Sequence, residues 1–209
     1  MSIIIQVLAV LYAIVVHEFG HAWVARKQGD HTAELAGRLT LNPIAHIDWY
    51  GTVLVPAFLI ITGSPLVFGW AKPVPINPNN FTNQRWGNSI VSLAGPLVNF
   101  VSLIFFFVVL KVLLIGQLLA DGNSLITFLV YLIIYNLIFL VFNLIPIPPL
   151  DGSKVLFDVL PNKLEQVKYF LETQGQWILL GILVLDSFLQ LGILSSLIGF
   201  FANLVFSAI

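Results

Sequence analysis

The 209-residue chain is 58% apolar and only 9% charged, whereas soluble domains carry about 25% charged residues, so this is an integral membrane protein. A net charge of −1 offers no basic surface for nucleic acid. The lack of cysteine excludes disulfides and thiolate metal sites, so any transition metal must be held by nitrogen and oxygen.

The first apolar segment runs from about Ile3 to Arg26, long enough to cross a hydrocarbon core of about 30 Å. It ends in Arg26-Lys27, which marks the cytoplasmic side. No basic residue precedes it and no small-residue cleavage site interrupts it before His17, so it reads as a retained helix and not a secretory signal.

Inside this helix lies His17-Glu18-Phe19-Gly20-His21. Residues four apart on a helix share a face, so both imidazoles reach one tetrahedral ion, while Glu18 sits about 100° around the axis. Zinc held by two imidazoles and one further ligand keeps a fourth position for water and lowers that water's pKa towards about 7. A carboxylate beside it is then a general base. The plainer alternative makes His17 and His21 core histidines bonded to other helices, with Glu18 paired to one of them. Against it, each ionisable side chain in lipid costs about 2.5 to 3.5 kcal/mol on insertion scales, and three together ask for a function. The spacing from His17 to Arg26 places the proposed metal about 14 Å inside the cytoplasmic boundary.

Between Gly29 and Tyr50 the chain turns polar, and Gly37-Arg38-Leu39-Thr40-Leu41 alternates as a short strand does before Asn42-Pro43 stops it. A hairpin or edge strand is predicted there. His46 and Asp48 are read as interfacial anchors beside an aromatic loop; His46 has no partner at four-residue spacing that would favour a ligand role. Thr52 to Val67 is apolar but only about 24 Å long as a helix, and it carries Pro56, Gly63 and Pro65. With Arg38 before it and Lys72 after it, the segment is expected to dip into the membrane and return. Phe68 to Pro75 reads as an extended, proline-limited strand.

A segment from about Trp86 to Leu114 contains Ala94-Gly95-Pro96-Leu97-Val98-Asn99, whose small residues suit close helix packing and whose Asn99 is expected to hydrogen-bond to another helix or backbone. A polar turn at 117–124 marks the far side, where Lys111 alone of the basic residues falls. Leu125 to Leu144 returns and breaks at Asn143-Leu144-Ile145-Pro146-Ile147-Pro148-Pro149-Leu150-Asp151-Gly152, because proline cannot continue a helix. Asp151 reads as the N-cap of a short helix, a role that leaves an oxygen for a metal. It shares an ion with His17 only if 52–67 fails to cross, and the remaining basic residues then all fall on one side. Residues 176–206 are apolar again, interrupted by Asp186, Gln190 and Gly192, and fit one long tilted helix or two pieces, with Asp186 interfacial. No linker or repeat divides residues 1–209, which read as one domain. The expected fold is an all-α polytopic membrane protein of about four to six hydrophobic segments, one of them re-entrant, with a short membrane-associated β-hairpin.

His17-Glu18-x-x-His21 in a first membrane helix, joined to Asn143-x-x-Pro146-x-Pro148-Pro149-Leu150-Asp151-Gly152 in a later one, resembles the site-2 protease family of intramembrane zinc metalloproteases. The likeness extends through Gly95-Pro96-x-x-Asn99 and Gly69-Trp70-Ala71-Lys72-Pro73. It implies one zinc ion per chain with His17, His21 and Asp151 as ligands, Glu18 as catalytic base, and Asn143 assisting the substrate or the developing oxyanion. It further implies a transmembrane protein or peptide substrate and a place in the cell membrane, with the basic residues putting the active site nearer the cytoplasmic face. The sequence departs from some relatives in having no inserted PDZ-like module and no nucleotide-sensing domain, and looks like a minimal core. A homo-oligomer is compatible with this. A helical substrate must be unwound before attack, and strand addition against 37–41 or 68–74 is the expected means. Soluble zincins with a third histidine six residues on are excluded, since that position is Lys27. The competing reading is a membrane metal transporter or sensor, which has no need of Glu18. A di-iron oxidase needs several histidine clusters that four histidines do not supply.

Overall fold

Three apolar runs become long helices: α1 (Ser2–Lys27), α4 (Gly87–Ile115) and α5 (Ser124–Asn143), each long and apolar enough to cross a membrane. The computed structural model describes residues 2–62, 72–120 and 122–207. Among them the remaining helices are α2 (Thr32–Leu35), α3 (Val55–Ile61), α6 (Asp151–Val159), α7 (Glu165–Phe188) and α8 (Ile193–Phe206). The chain is an integral membrane protein, mostly helical.

α1, α4 and α5 pack around one apolar core in which Ala9, Leu103, Leu110, Leu129, Leu132, Ile133 and Leu137 are buried. Lipid tails are as apolar as leucine, so packing and interhelical hydrogen bonds hold such helices together. α1 accordingly presents Ala9, Ala13 and Gly20 inward, and a Cβ added at Gly20 would lie 2.9 Å from the Ala94 carbonyl oxygen of α4. Polar pairs cross between helices at Gln6–Tyr131 (2.7 Å) and Tyr12–Ser102 (3.3 Å). Large apolar side chains such as Ile3, Val7, Phe105 and Val112 face outward, where lipid replaces water.

The short segment before the second long helix does not cross as far as it is described. A π-helical turn at Trp49–Leu54 leads into α3, and Asp48 caps that turn by accepting from Gly51 N–H at 2.7 Å. These thirteen helical residues rise about 20 Å, short of a membrane core. Residues 63–67 of the expected re-entrant segment and 68–71 of the expected strand lie outside the described residues.

The predicted β-hairpin is not found: among the described residues there is no strand, and 37–41 is a turn and bend. The alternation fails because Arg38, expected to point outward, is buried, and its Nη2 donates to the carbonyls of Lys72 and Pro73. Lys72 N–H is taken by the His46 carbonyl at 3.1 Å and Val74 N–H by Glu18 at 2.9 Å, while Pro73 and Pro75 have no N–H to give. Residues 72–75 therefore keep no donors for a β-ladder with a substrate strand. His46 is buried, with Nε2 donating to the Thr40 carbonyl at 2.8 Å.

Asp30 ties the α1–α2 turn to the loop before α4. Its carboxylate accepts from Thr32, from Asn77 N–H at 2.7 Å and from Asn80 Nδ2 at 2.9 Å. Burial pushes its carboxyl upward, but these hydrogen bonds outweigh burial and hold it below the usual carboxylate range. A depressed folded pKa gives stability that is full above about pH 4 and is lost as pH falls through the folded value. Asp30→Ala should cost about 2 to 3 kcal/mol near neutral pH and flatten that acid limb, readable as thermal unfolding in detergent between pH 3 and 7.

α5 stops at Asn143, ahead of Pro146, and α6 begins at Asp151. α6 is fixed at both ends. Asp158 accepts from Ser89 N–H (3.0 Å) and Ser89 Oγ (2.6 Å) in the first turn of α4. Gly152 packs so tightly on the Leu144 and Ile145 backbone that an added Cβ would overlap Leu144 O and sit 2.8 Å from Ile145 O. Beyond it, the 176–206 region is two helices bent by 86°. The first starts earlier than hydropathy suggested, at Glu165, because polar residues 165–174 form its exposed leading turns. The bend follows from left-handed Gln190 (φ 52°) and Gly192 (φ 66°), and Asp186 accepts from Ile193 N–H at 2.7 Å at the start of α8.

Candidate active site

His17 and His21 project from the same face of α1, and the start of α6 brings Asp151 against them. Asp151 Oδ2 lies 3.1 Å from each Nε2, and the two Nε2 atoms are 3.0 Å apart. All three side chains are buried. Asp151 is the first residue of α6 and makes no capping hydrogen bond; the cap position is Leu150. Its negative charge at a helix N-terminus is nonetheless favourable.

The other ring nitrogens decide what meets at that triangle. His17 Nδ1 faces Asn99 Oδ1 at 2.7 Å, and His21 Nδ1 faces the Val91 carbonyl at 2.8 Å. Both partners are acceptors, since the Asn99 Nδ2 donates to Ala13 O and Asn136 Oδ1. Each histidine therefore carries its proton on Nδ1 and directs an Nε2 lone pair inward. Two lone pairs and a carboxylate oxygen that finds no hydrogen-bond donor thus converge within hydrogen-bond distance. Such an arrangement repels itself unless a cation sits among the three atoms. Zinc bonds of about 2.0 to 2.1 Å at tetrahedral angles space ligand atoms about 3.3 Å apart, and the triangle is within a few tenths of an ångström of that. The donor set fits Zn²⁺, and each histidine has the outer hydrogen-bond partner that metal-binding histidines use.

Gly95 forms one wall. A Cβ there would overlap His21 Nε2 and lie 2.7 Å from His17 Cε1, so the wall admits no side chain. Glu18, half-buried, is not in the triangle; its Oε2 accepts from Val74 N–H. Arg38 on the carbonyls of 72 and 73 and Glu18 on the amide of 74 thus grip the same three residues. Phe139 packs edge-on against His17 with ring centroids 5.7 Å apart. One turn further along α5, Asn143 Nδ2 donates to the Phe139 carbonyl at 3.1 Å, so one of its two amide hydrogens is spent within its own helix. His46 and Asp48 belong to loop structure, and Asp186 to the start of α8.

Sequence reasoning missed the roles of Asn136, Arg38 and Gly95. A buried amide within the apolar α5 was the available signal for Asn136, because an unsatisfied polar group in lipid is costly. For Gly95, packing alone seemed a sufficient reason.

A model of peptidase family M50 matches residues 5–121 and 111–185. The chain is 40% identical over 158 residues to "Putative zinc metalloprotease YwhC" of Bacillus subtilis, covering 74% of this chain and 68% of that protein. It is 35% identical over 182 residues to "Putative zinc metalloprotease Rip2" of Mycolicibacterium smegmatis, covering 84% of this chain and 63% of that protein. Against "Putative zinc metalloprotease MJ0611" of Methanocaldococcus jannaschii it is 30% identical over 154 residues, covering 73% and 69%. No solved structure matches. With the family match spanning most of the chain, and a buried His/His/Asp triangle suited to the zinc that these relatives' names carry, the chain belongs to peptidase family M50.

Proposed function

We propose that this chain is an intramembrane zinc endopeptidase that hydrolyses peptide bonds within or near the transmembrane segments of membrane proteins. The observation that carries the reading is the convergence of three acceptor atoms, with no donor among them, on buried faces of α1 and α6. His17, His21 and Asp151 hold the metal. Zinc, when bound, polarises the scissile carbonyl and makes water a nucleophile near neutral pH. Glu18, next to His17 but outside the triangle, takes the proton from the attacking water and delivers it to the leaving amine. Asn143, at the end of α5 one turn beyond the Phe139 that packs on His17, holds the scissile backbone or the oxyanion through the amide hydrogen not given to Phe139 O.

Arg26, Lys27, Arg38, Lys72, Arg85, Lys154, Lys163 and Lys168 support a site nearer the cytoplasmic face. With its N–H groups engaged or absent, the 72–75 segment serves to hold Glu18 and offers no donor to an unwound substrate strand.

Metal content and cleavage of a single-span model substrate, measured on the same purified samples, test the reading. Wild type should hold one zinc and cleave. Asp151→Ala should weaken zinc by more than the roughly 10 to 100-fold typical of losing an outer partner, and cleavage should vanish with it. An Asp151→Ala protein that keeps both zinc and cleavage would sink the proposal.

A further inference from the structure

Resting on His17 as a metal ligand, we propose that Asn99 and Asn136 are positioning residues, a two-amide relay between α4 and α5 that dictates which nitrogen of His17 is offered to the metal. Both are completely buried, and every link of the relay has one allowed direction. Asn136 Nδ2 donates to the Leu132 carbonyl of its own helix at 2.7 Å, which turns its Oδ1 toward α4. That oxygen accepts from Asn99 Nδ2 at 2.9 Å, and the second Nδ2 hydrogen goes to Ala13 O at 3.0 Å. With both donors spent, Asn99 shows His17 an oxygen, and only a protonated Nδ1 can meet it at 2.7 Å.

The need for a relay is particular to His17. His21 Nδ1 is answered by a backbone carbonyl of α4, Val91 O, which cannot turn over. The partner of His17 is a side-chain amide, whose two ends have nearly the same shape. Unguided, it can present its NH₂, draw the imidazole proton to Nε2, and so point a proton at Asp151 where a lone pair is required. Asn136 Oδ1 and the Ala13 carbonyl together prevent this inversion by occupying the NH₂ end. In lipid no water stands in for a missing partner, so the direction set at Leu132 O is carried through both amides to the ring.

Zinc affinity is the readout, taken by chelator competition on the full-length protein in detergent, with thermal unfolding of the zinc-free form as control. Asn136→Leu should weaken zinc by about 10 to 100-fold. Asn136→Asp, which keeps an acceptor for Asn99 Nδ2, should recover most of that loss. A purely structural role would instead lower the unfolding temperature of the zinc-free protein and leave the affinity of the folded fraction unchanged. On wild type alone, nitrogen NMR of histidine-labelled protein, with His17 assigned by His17→Gln, should show a protonated Nδ1 and a bare Nε2. That measurement decides the matter even if the leucine variant does not fold. A His17 protonated at Nε2, or an Asn136→Leu protein with wild-type zinc affinity, overturns the relay. Wild type that binds no zinc overturns the metal-site reading as well, so the two failures are distinguishable.

Discussion

Gly95→Ala should weaken zinc binding by about 10 to 100-fold while leaving the zinc-free protein close to its normal stability. The added methyl would occupy the place of His21 Nε2 and press within 2.7 Å of His17 Cε1 and His21 Cε1. α4 lies close against α1 beside this wall, with Gly20 of α1 packed on the Ala94 carbonyl, and backing away would give up that packing. If the imidazoles move instead, they give up Nδ1 contacts of 2.7 and 2.8 Å. Overpacking costs about 1 to 3 kcal/mol, and each 1.4 kcal/mol is tenfold in affinity. In the absence of metal the rings can turn aside without giving up a bound ion, so the larger loss falls on zinc affinity. Gly152→Ala makes the contrast: its Cβ would meet the backbone of Leu144 and Ile145, with atoms at 2.6 and 2.8 Å that no rotamer change relieves. It should destabilise the protein itself by more than about 2 kcal/mol. Chelator competition and thermal unfolding on the two variants separate the effects, and a Gly95→Ala protein with undiminished zinc affinity would contradict the assignment of that wall.

Glu18→Gln should lower cleavage by about 10² to 10⁴-fold, the range expected for loss of a positioned general base, with zinc content unchanged. Zinc should stay because Glu18 contributes nothing to the His17, His21, Asp151 triangle. The substitution is also nearly silent for the fold, since a glutamine carbonyl can accept the Val74 N–H as the carboxylate does. What it lacks is an atom able to take a proton from water at neutral pH. The decisive measurement is the cleavage rate of a single-span substrate against zinc content in one preparation, and a variant within tenfold of wild type would remove Glu18 from the mechanism. Zinc movement into liposomes that persists unchanged in Glu18→Gln, without cleavage by wild type, would support the transport reading instead.

Hydropathy and helix breakers placed α1, α4 and α5 to within a residue or two of their observed ends, because crossing lipid is a demand that each segment meets by itself. The His17/His21 pair was legible for the same reason: a four-residue spacing on one helix needs no knowledge of the rest of the chain. Alternation at 37–41 misled because a two-residue period is evidence for a strand only when one face is buried and the backbone finds a neighbour. Here Arg38 turns inward to the carbonyls of 72 and 73, and the backbone finds none. The start of α7 was missed because its first turns are polar and carry no apolar run. The burial of His46 against Thr40 is likewise invisible along the chain.

The sequence by itself determined that this is a membrane protein, where its long helices lie, and that two imidazoles share one face of the first. Those properties depend on neighbours a few residues away. Only the tertiary structure decided that Asp151 reaches both Nε2 atoms, that Gly95 clears the space beside them, and that Asn99 lies between His17 and Asn136. Each of these requires helices remote in sequence to approach within hydrogen-bond distance, and that approach is set by the small residues between α1 and α4 and by the anchoring of both ends of α6.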